Sequence, residues 1–153
     1  MNRSLIDIRA HAAAALERHG HVARAASAAD CAWLEAVGYP GLTLLAEALK
    51  DSRSHLDLER DALGIDLQNV SCVFIGGQVT DEVAQNGRAF LRNVRHGLYL
   101  VPGSVSGNYG IGCPVDPGFA LGGERSKNPY VEKLAIAERD GVAVDDAIWQ
   151  TLS

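Results

Sequence analysis

Residues Arg92 to Tyr130 read RNVRHGLYLVPGSVSGNYGIGCPVDPGFALGGERSKNPY, and this stretch decides how the rest of the chain is interpreted. It opens with a strand-like run over 96–101. Between Gly103 and Gly123 it then holds seven glycines and two prolines, without a helical or strand period. A segment of this length is normally functional or disordered, and its aromatic, cysteine and aspartate residues are not typical of a disordered linker. We therefore interpret it as an ordered, functional glycine-rich loop.

Upstream of this loop the pattern is first helical and then strand-like. Apolar residues recur at helical spacing over 4–19, 22–37 and 41–50, with Ser4 as the first N-cap and Gly20 as the first stop. A shorter helix is expected over 56–63. The run over 70–75 is β-branched and bounded by Asn69 and Gly76, which predicts a buried strand, followed by a short helix over 80–86. Two further strands are expected over 88–94 and 97–101.

Downstream of the loop the pattern predicts two helices. The first spans 130–140, with Asn128 as N-cap and Pro129 in the first turn, and the second is capped by Asp145. The sequence thus predicts an α+β fold in which an N-terminal helical layer packs on a small mixed or antiparallel sheet, followed by the glycine-rich loop and C-terminal helices. We expect a single domain over 1–153, mainly helical over 1–68. The side chains assigned to its core are Trp33, Phe74, Phe90, Leu98 and Trp149.

Composition narrows the class of protein. The net charge is -5 and only 14 residues are basic, which argues against nucleic acid as a partner. No apolar run approaches the length of a membrane span, and the N-terminus lacks the continuous apolar core of a signal peptide. Three widely spaced cysteines form no disulfide framework and suit a reducing compartment. We expect a cytoplasmic protein that contacts neither membrane nor nucleic acid.

One segment resembles a known family. Trp33-Leu34 at the end of a predicted helix, followed by Gly38 and Pro40-Gly41 before an apolar helix, is similar to the opening of an uncharacterised bacterial domain-of-unknown-function family. The C-terminal segment around Trp149 is also similar to a segment of that family, in which the chain usually continues further. The resemblance covers about a third of the chain. It implies no activity, because its signature is structural and not chemical.

Cys113 is the strongest single candidate for chemistry. It lies between Gly112 and Pro114, where backbone amides are able to approach a ligand. A nucleophilic cysteine also needs a base, and His96 is the natural one, with Asp116 placed to orient the imidazole. The alternative interpretation is that Cys113 is a small buried residue before a proline turn and that His96 is a satisfied polar group.

The remaining candidates are residues that would hold a ligand. Cations before the predicted helix N-terminus, together with glycines and a tyrosine in the loop, are suited to an anionic group. The ligand-binding set comprises Arg95, Tyr109, Gly110, Gly112, Arg125 and Lys127. No metal site is predicted, because Cys72, His96, Cys113 and Asp116 form the only set of ligands and lack any metal-binding spacing. No cofactor is indicated.

Two functions from different classes remain open. The first is a small-molecule-binding protein or enzyme that acts on an acidic small substrate at His96 and the glycine-rich loop. The second is a non-catalytic accessory or assembly subunit that uses the loop as a docking surface. Since a small sheet and alanine-rich helices leave apolar surface to cover, we expect a homo-oligomer or a partner subunit in either case.

Overall fold

A computed structural model describes residues 1–21, 24–108 and 128–153. In these residues it contains seven α-helices, one 3-10 helix and five short strands, which confirms the α+β class. The elements in chain order are β1 (Asn2–Arg3), α1 (Leu5–Arg18), α2 (Arg24–Ala36), α3 (Gly41–Ala48), β2 (Arg60–Asp61), β3 (Gly64–Asp66), α4 (Cys72–Asn86), β4 (Leu91–Arg92), the 3-10 helix (Gly97–Leu100), α5 (Val101–Gly107), α6 (Val131–Asp140), β5 (Val142–Ala143) and α7 (Asp146–Thr151).

The chain divides into two compact units. The first unit combines Met1–Ser52 with Pro129–Ser153, and the second unit is Arg53–Asn128. Their boundaries therefore fall at 52/53 and 128/129, and not at the change of sequence character near residue 68. The expectation of one domain over 1–153 stays a prediction. None of the described helices combines the length and apolar character needed to cross a membrane.

The first unit is helical, as its sequence period predicts. Ser4 caps α1, since its hydroxyl accepts a hydrogen bond of 3.1 Å from the N–H of Asp7. The buried face of α1, which packs against α2, consists of Ile8, Ala12, Ala15 and Leu16. Gly41 begins α3 so close to α2 that a Cβ there would lie 2.6 Å from the carbonyl oxygen of Cys31. The Pro-Gly pair thus permits a contact between helices that a larger residue would block.

The two ends of the chain meet in the first unit. Strands β1 and β5 pair in antiparallel fashion, and Asp145 caps α7 as predicted. The indole of Trp149 is half-buried and stacks on the His11 ring at 3.7 Å with a 4° angle between planes. Helix α6 begins after Tyr130, so the prediction of Asn128 as its N-cap is wrong. The Tyr130 ring packs edge-on against half-buried Trp33 at 4.9 Å, and this tertiary contact accompanies the later start.

The second unit contains a small mixed sheet in the order β2-β3-β4. Strands β2 and β3 are antiparallel, and β3 and β4 are parallel. The helix predicted over 56–63 is therefore wrong. The Asp61 carboxylate accepts the N–H of Leu63 at 2.8 Å, which forms a turn, and Gly64 follows with φ of +116°. The hydrogen bond to Asp61 and the positive φ of Gly64 thus determine the structure of this segment, and its weak helical period does not.

The buried strand predicted over 70–75 is also wrong. Ser71 caps helix α4, which begins at Cys72 and absorbs the helix predicted over 80–86. Short apolar runs fit a buried strand and a buried helix equally well, so packing decides between them. Here the packing is close, because a Cβ on Gly76 would lie 2.8 Å from the carbonyl oxygen of Tyr99. A Cβ on Gly103 of α5 would lie 2.5 Å from the Thr80 hydroxyl.

The segment after β4 differs from the prediction as well. Residues 97–101 form the 3-10 helix and the start of α5 instead of a strand. Helix α5 extends to Gly107, so the first part of the predicted glycine-rich loop is helical, and residues 109–127 lie outside the described part of the chain. Among the predicted core residues Phe74 is buried and Leu98 is half-buried. Phe90 is 58% exposed, because Leu91 occupies the inward position of β4.

Candidate active site

A parallel ladder of hydrogen bonds positions the candidate site. It runs beyond the strands and joins 65–72 to 90–95, and it ends at the N-terminus of α4. The donors are the N–H groups of Ile65, Leu67, Asn69 and Cys72, and the acceptors are the carbonyls of Phe90, Arg92, Asn93 and Arg95, at 2.8, 2.9, 3.0 and 2.9 Å. Because both segments advance together, the residue after Arg95 is brought beside the residue before Cys72.

Left-handed backbone conformations concentrate in this ladder. Gln68, Asn69, Asn93 and His96 have φ values of 53°, 60°, 53° and 57°. Asn108 is the only other non-glycine residue with a positive φ in the described ranges. Each such conformation costs free energy and persists when surrounding contacts determine it, and such residues gather at functional sites. The strained cluster therefore marks this edge of the second unit as a candidate site.

One carboxylate holds two of the strained residues together. Asp66 Oδ1 accepts hydrogen bonds from the Gln68 N–H at 2.9 Å and from Asn93 Nδ2 at 2.8 Å. These two bonds, that from Asn93 first, hold the pKa of the Asp66 carboxyl below its ordinary value. The ionised form of Asp66 thus supports the conformation of both segments of the ladder.

The central contact of the site joins Ser71 to His96. Ser71 Oγ lies 2.6 Å from His96 Nδ1 and also accepts the N–H of Val73 at 3.1 Å. Ser71 is fully buried, and the His96 residue is half-buried. A single hydroxyl therefore caps a 15-residue helix and fixes one nitrogen of an imidazole.

The structure places two of the predicted site residues together. His96 and Arg95 both lie against the first turn of α4, since the Arg95 carbonyl accepts the N–H of buried Cys72. The other predicted site residues lie outside the described part of the chain, namely Cys113, Asp116, Tyr109, Gly110, Gly112, Arg125 and Lys127. Their roles stay predictions. In the described ranges no three His, Cys, Asp or Glu side chains are grouped so as to hold a metal ion.

Sequence reasoning missed Ser71. A serine directly before an apolar run is the pattern of a helix N-cap, and Cys72, Ile75, Val79 and Val83 repeat at spacings that fit one helical face. When 70–75 is interpreted as a strand, this N-cap pattern is not recognised. Extending the pattern through Val83 would have predicted both the helix and its cap.

A polar cavity of about 530 Å³ adjoins the ladder in the second unit, and Asp66 and Gln68 are among its lining residues. Its cation Arg60 forms a bidentate pair with Glu82, with N–O distances of 2.8 and 2.9 Å, and this pairing lowers the pKa of the Glu82 carboxyl. Asp61, another lining residue, pairs with Arg92. The pairing of Arg60 with a carboxylate makes this cavity poorly suited to an acidic ligand.

Comparison with known proteins gives no match to a family model, to a curated protein or to a solved structure. The resemblance around Trp33-Leu34 and Pro40-Gly41 therefore stays a prediction. In the structure, Gly41 of this segment allows α3 to approach α2 closely.

Proposed function

We propose that this chain binds a small acidic molecule at His96 and Arg95, as a binding protein or as an enzyme. The observation that carries the proposal is the left-handed His96 held by buried Ser71 at the N-terminus of α4. The left-handed backbone at this imidazole costs conformational free energy, and residues with such backbone strain gather at functional sites.

The charges around His96 favour an anion. The N-terminus of α4 carries the positive end of the helix dipole, and no acidic residue occurs in its first turn. Arg95 adds a cation next to His96 in the chain, and its backbone is fixed by the bond from Cys72. A carboxylate or phosphate group near these residues is stabilised by the dipole and by the guanidinium together.

A panel of di- and tricarboxylates, inorganic phosphate and sugar phosphates tests the proposal by thermal shift and by 1H–15N spectra of the full chain. Binding by the wild type should weaken at least tenfold in His96→Gln and in Arg95→Gln. The matched controls are His55→Gln and Arg88→Gln, since both residues are exposed and lie in the same unit. Equal binding by His96→Gln and His55→Gln would refute the proposed site.

The enzymatic form of the proposal assigns a nucleophile to Cys113, with His96 and Asp116 as partners. Cys31 and Cys72 are buried. Alkylation of a variant with both replaced by serine reports on Cys113 alone, and its rate against pH gives the pKa of the thiol. A midpoint well below the free-cysteine value of about 8.5 supports the nucleophile. A midpoint near the free-cysteine value of about 8.5 would contradict the nucleophile, and only the ligand-binding form of the proposal would remain.

The second candidate is a non-catalytic assembly subunit, and it rests on a different observation. Two large apolar side chains of the second unit are exposed next to the sheet, Leu63 at 67% and Phe90 at 58%. Gly64, the residue after Leu63, lies against Phe90, because a Cβ on Gly64 would lie 3.0 Å from the Cβ of Phe90. Such pairs beside an edge strand are typical of an interface. A dimer in sedimentation that dissociates in Phe90→Ser, but not in Val131→Ser, supports this function, and a monomeric wild type contradicts it.

A further inference from the structure

The hydroxyl proton of Ser71 has one available acceptor within the described residues, the Nδ1 atom of His96. Ser71 Oγ already accepts the Val73 N–H, and the His96 Nδ1 atom is the one other polar atom that contacts it within the described residues. Ser71 is fully buried, so water does not offer a second acceptor. A buried hydroxyl donates its proton where an acceptor exists, and Nδ1 is an acceptor only when it carries no hydrogen.

We infer that Ser71 is a positioning residue that holds His96 in the neutral tautomer with its proton on Nε2. In this arrangement Ser71 donates to Nδ1, and Nε2–H becomes a hydrogen-bond donor. The opposite tautomer, with hydrogen on Nδ1, would direct two hydrogens toward Oγ and leave the Ser71 proton without an acceptor. The left-handed backbone of His96 and the ladder bond from Cys72 to Arg95 keep the ring at this distance.

This inference rests on the proposed function and gives His96 a specific role in it. A neutral Nε2–H donates to a carboxylate or phosphate oxygen without taking a proton from the ligand. In the same tautomer Nε2 has no lone pair to accept the Cys113 proton, and Nδ1 is occupied by Ser71. His96 is therefore a donor that orients an acidic group. This role replaces that of general base in the enzymatic form of the proposal, so a Cys113 nucleophile would need another base.

The test is the ring 15N spectrum of the labelled full chain at about pH 8, where an imidazole is neutral. The chain has five histidines, so His96→Gln assigns the His96 resonances by their loss. We expect a protonated Nε2 and an unprotonated, hydrogen-bonded Nδ1. Protonation of Nδ1 in the wild type would overturn the inference. This measurement needs no ligand, so it is independent of the ligand panel that tests the proposed function.

A variant tests the role of the Ser71 hydroxyl itself. Ser71→Gly removes the hydroxyl, and glycine is tolerated at a helix N-cap, so α4 is retained. The Nδ1 resonance should move toward that of an imidazole in water, whereas the matched cap variant Ser4→Gly should leave it unchanged. Ser71→Thr keeps a hydroxyl, so its Nδ1 resonance should be the same as in the wild type. An Nδ1 resonance that is the same in Ser71→Gly and in the wild type would show that Ser71 does not position the ring.

Discussion

The Ser71 hydroxyl and the His96 imidazole, 25 residues apart in the chain, lie 2.6 Å from each other at the N-terminus of α4. The same hydroxyl accepts the first-turn N–H of Val73, so one buried atom serves both the helix and the candidate site. Stability and site geometry are therefore linked at Ser71. A change there should alter both, and a comparable change at another helix cap should alter stability alone.

The first prediction compares two serine caps. Ser71→Ala removes the cap of α4 and leaves His96 Nδ1 without its partner, so we expect a loss of ~2–3 kcal/mol in the free energy of unfolding of the second unit. Ser4→Ala removes only the exposed cap of α1 and should cost ~1 kcal/mol in the first unit. Urea titration followed by far-UV circular dichroism measures both. Equal losses would show that the contact with His96 contributes nothing to stability.

The second prediction concerns two glycines with positive φ in the second unit. A Cβ on Gly64 would lie 2.0 Å from the Phe90 carbonyl oxygen, whereas nothing lies within 4 Å of a Cβ on Gly87. Gly87→Ala therefore adds only backbone strain, of ~1–3 kcal/mol, because a φ of 89° with a ψ of 179° is a conformation that essentially only glycine adopts. Gly64→Ala must also separate β3 from β4 and should cost more than ~3 kcal/mol.

Both tryptophan residues, Trp33 and Trp149, belong to the first unit. Tryptophan fluorescence therefore does not report on the second unit, in which these glycine variants lie. Hydrogen exchange at the N–H groups of Ile65 and Leu67 reports directly on the β3–β4 ladder. Faster exchange in Gly64→Ala than in Gly87→Ala is expected. The same exchange rates in the two variants would contradict the close approach of Gly64 to Phe90.

The third prediction is a pH dependence at Asp66. The pKa of this carboxyl is held below its ordinary value by the bonds from Asn93 and Gln68. A group with a lowered folded-state pKa contributes stability that is present above its unfolded pKa of about 3.9 and is lost as pH falls through the folded value. Exchange at the Gln68 N–H should therefore gain protection as pH rises through the acid range toward the unfolded value, after correction for the intrinsic rate.

The matched variant for this prediction is Asp66→Asn, which keeps the shape of the side chain but does not titrate. Protection of the Gln68 N–H should be weaker in Asp66→Asn at neutral pH and should show no step in the acid range. A wild-type profile identical to that of the variant would mean that the charge of Asp66 does not hold the ladder.

The fourth prediction concerns Asp30 on α2 in the first unit. Burial raises the pKa of its carboxyl from 3.8 to about 7. For an acid with a raised folded-state pKa, stability is highest below the unfolded value and falls as pH rises from about 4 to 7, and then stays constant. Asp30→Asn should reduce this fall. It should stabilise the first unit by ~2 kcal/mol at pH 8, a value reduced from the full shift because Asp30 is only half-buried.

Urea titration followed by tryptophan fluorescence at pH 4, 6 and 8 measures this effect in the first unit. Glu17→Gln is the control, because Glu17 is an exposed acid on α1 in the same unit. Its stability profile against pH should follow that of the wild type. A smaller fall should remain in Asp30→Asn, because burial also raises the pKa of the Glu35 carboxyl in the same unit. A fall in Asp30→Asn as large as that of the wild type would contradict the raised pKa of Asp30.

The helices of the first unit could be predicted from the sequence because their signals are local. Ser4, Asp145 and Gly41 lie at positions that cap or begin a helix, and the apolar face of α1 repeats every three or four residues. Each of these features depends on neighbours within about one helical turn. His96 and Arg95 were also recognised as site candidates, from their place in the chain beside the predicted loop.

Only the tertiary structure decided the second unit. The run from Val70 to Ile75 fits a strand or a helix equally well, and the close packing of Gly76 on Tyr99 and of Gly103 on Thr80 accompanies the helix. Ser71 then meets His96 because a ladder of hydrogen bonds joins two segments that are 25 residues apart. Period and composition describe one segment at a time, whereas this site is formed by the register between two segments.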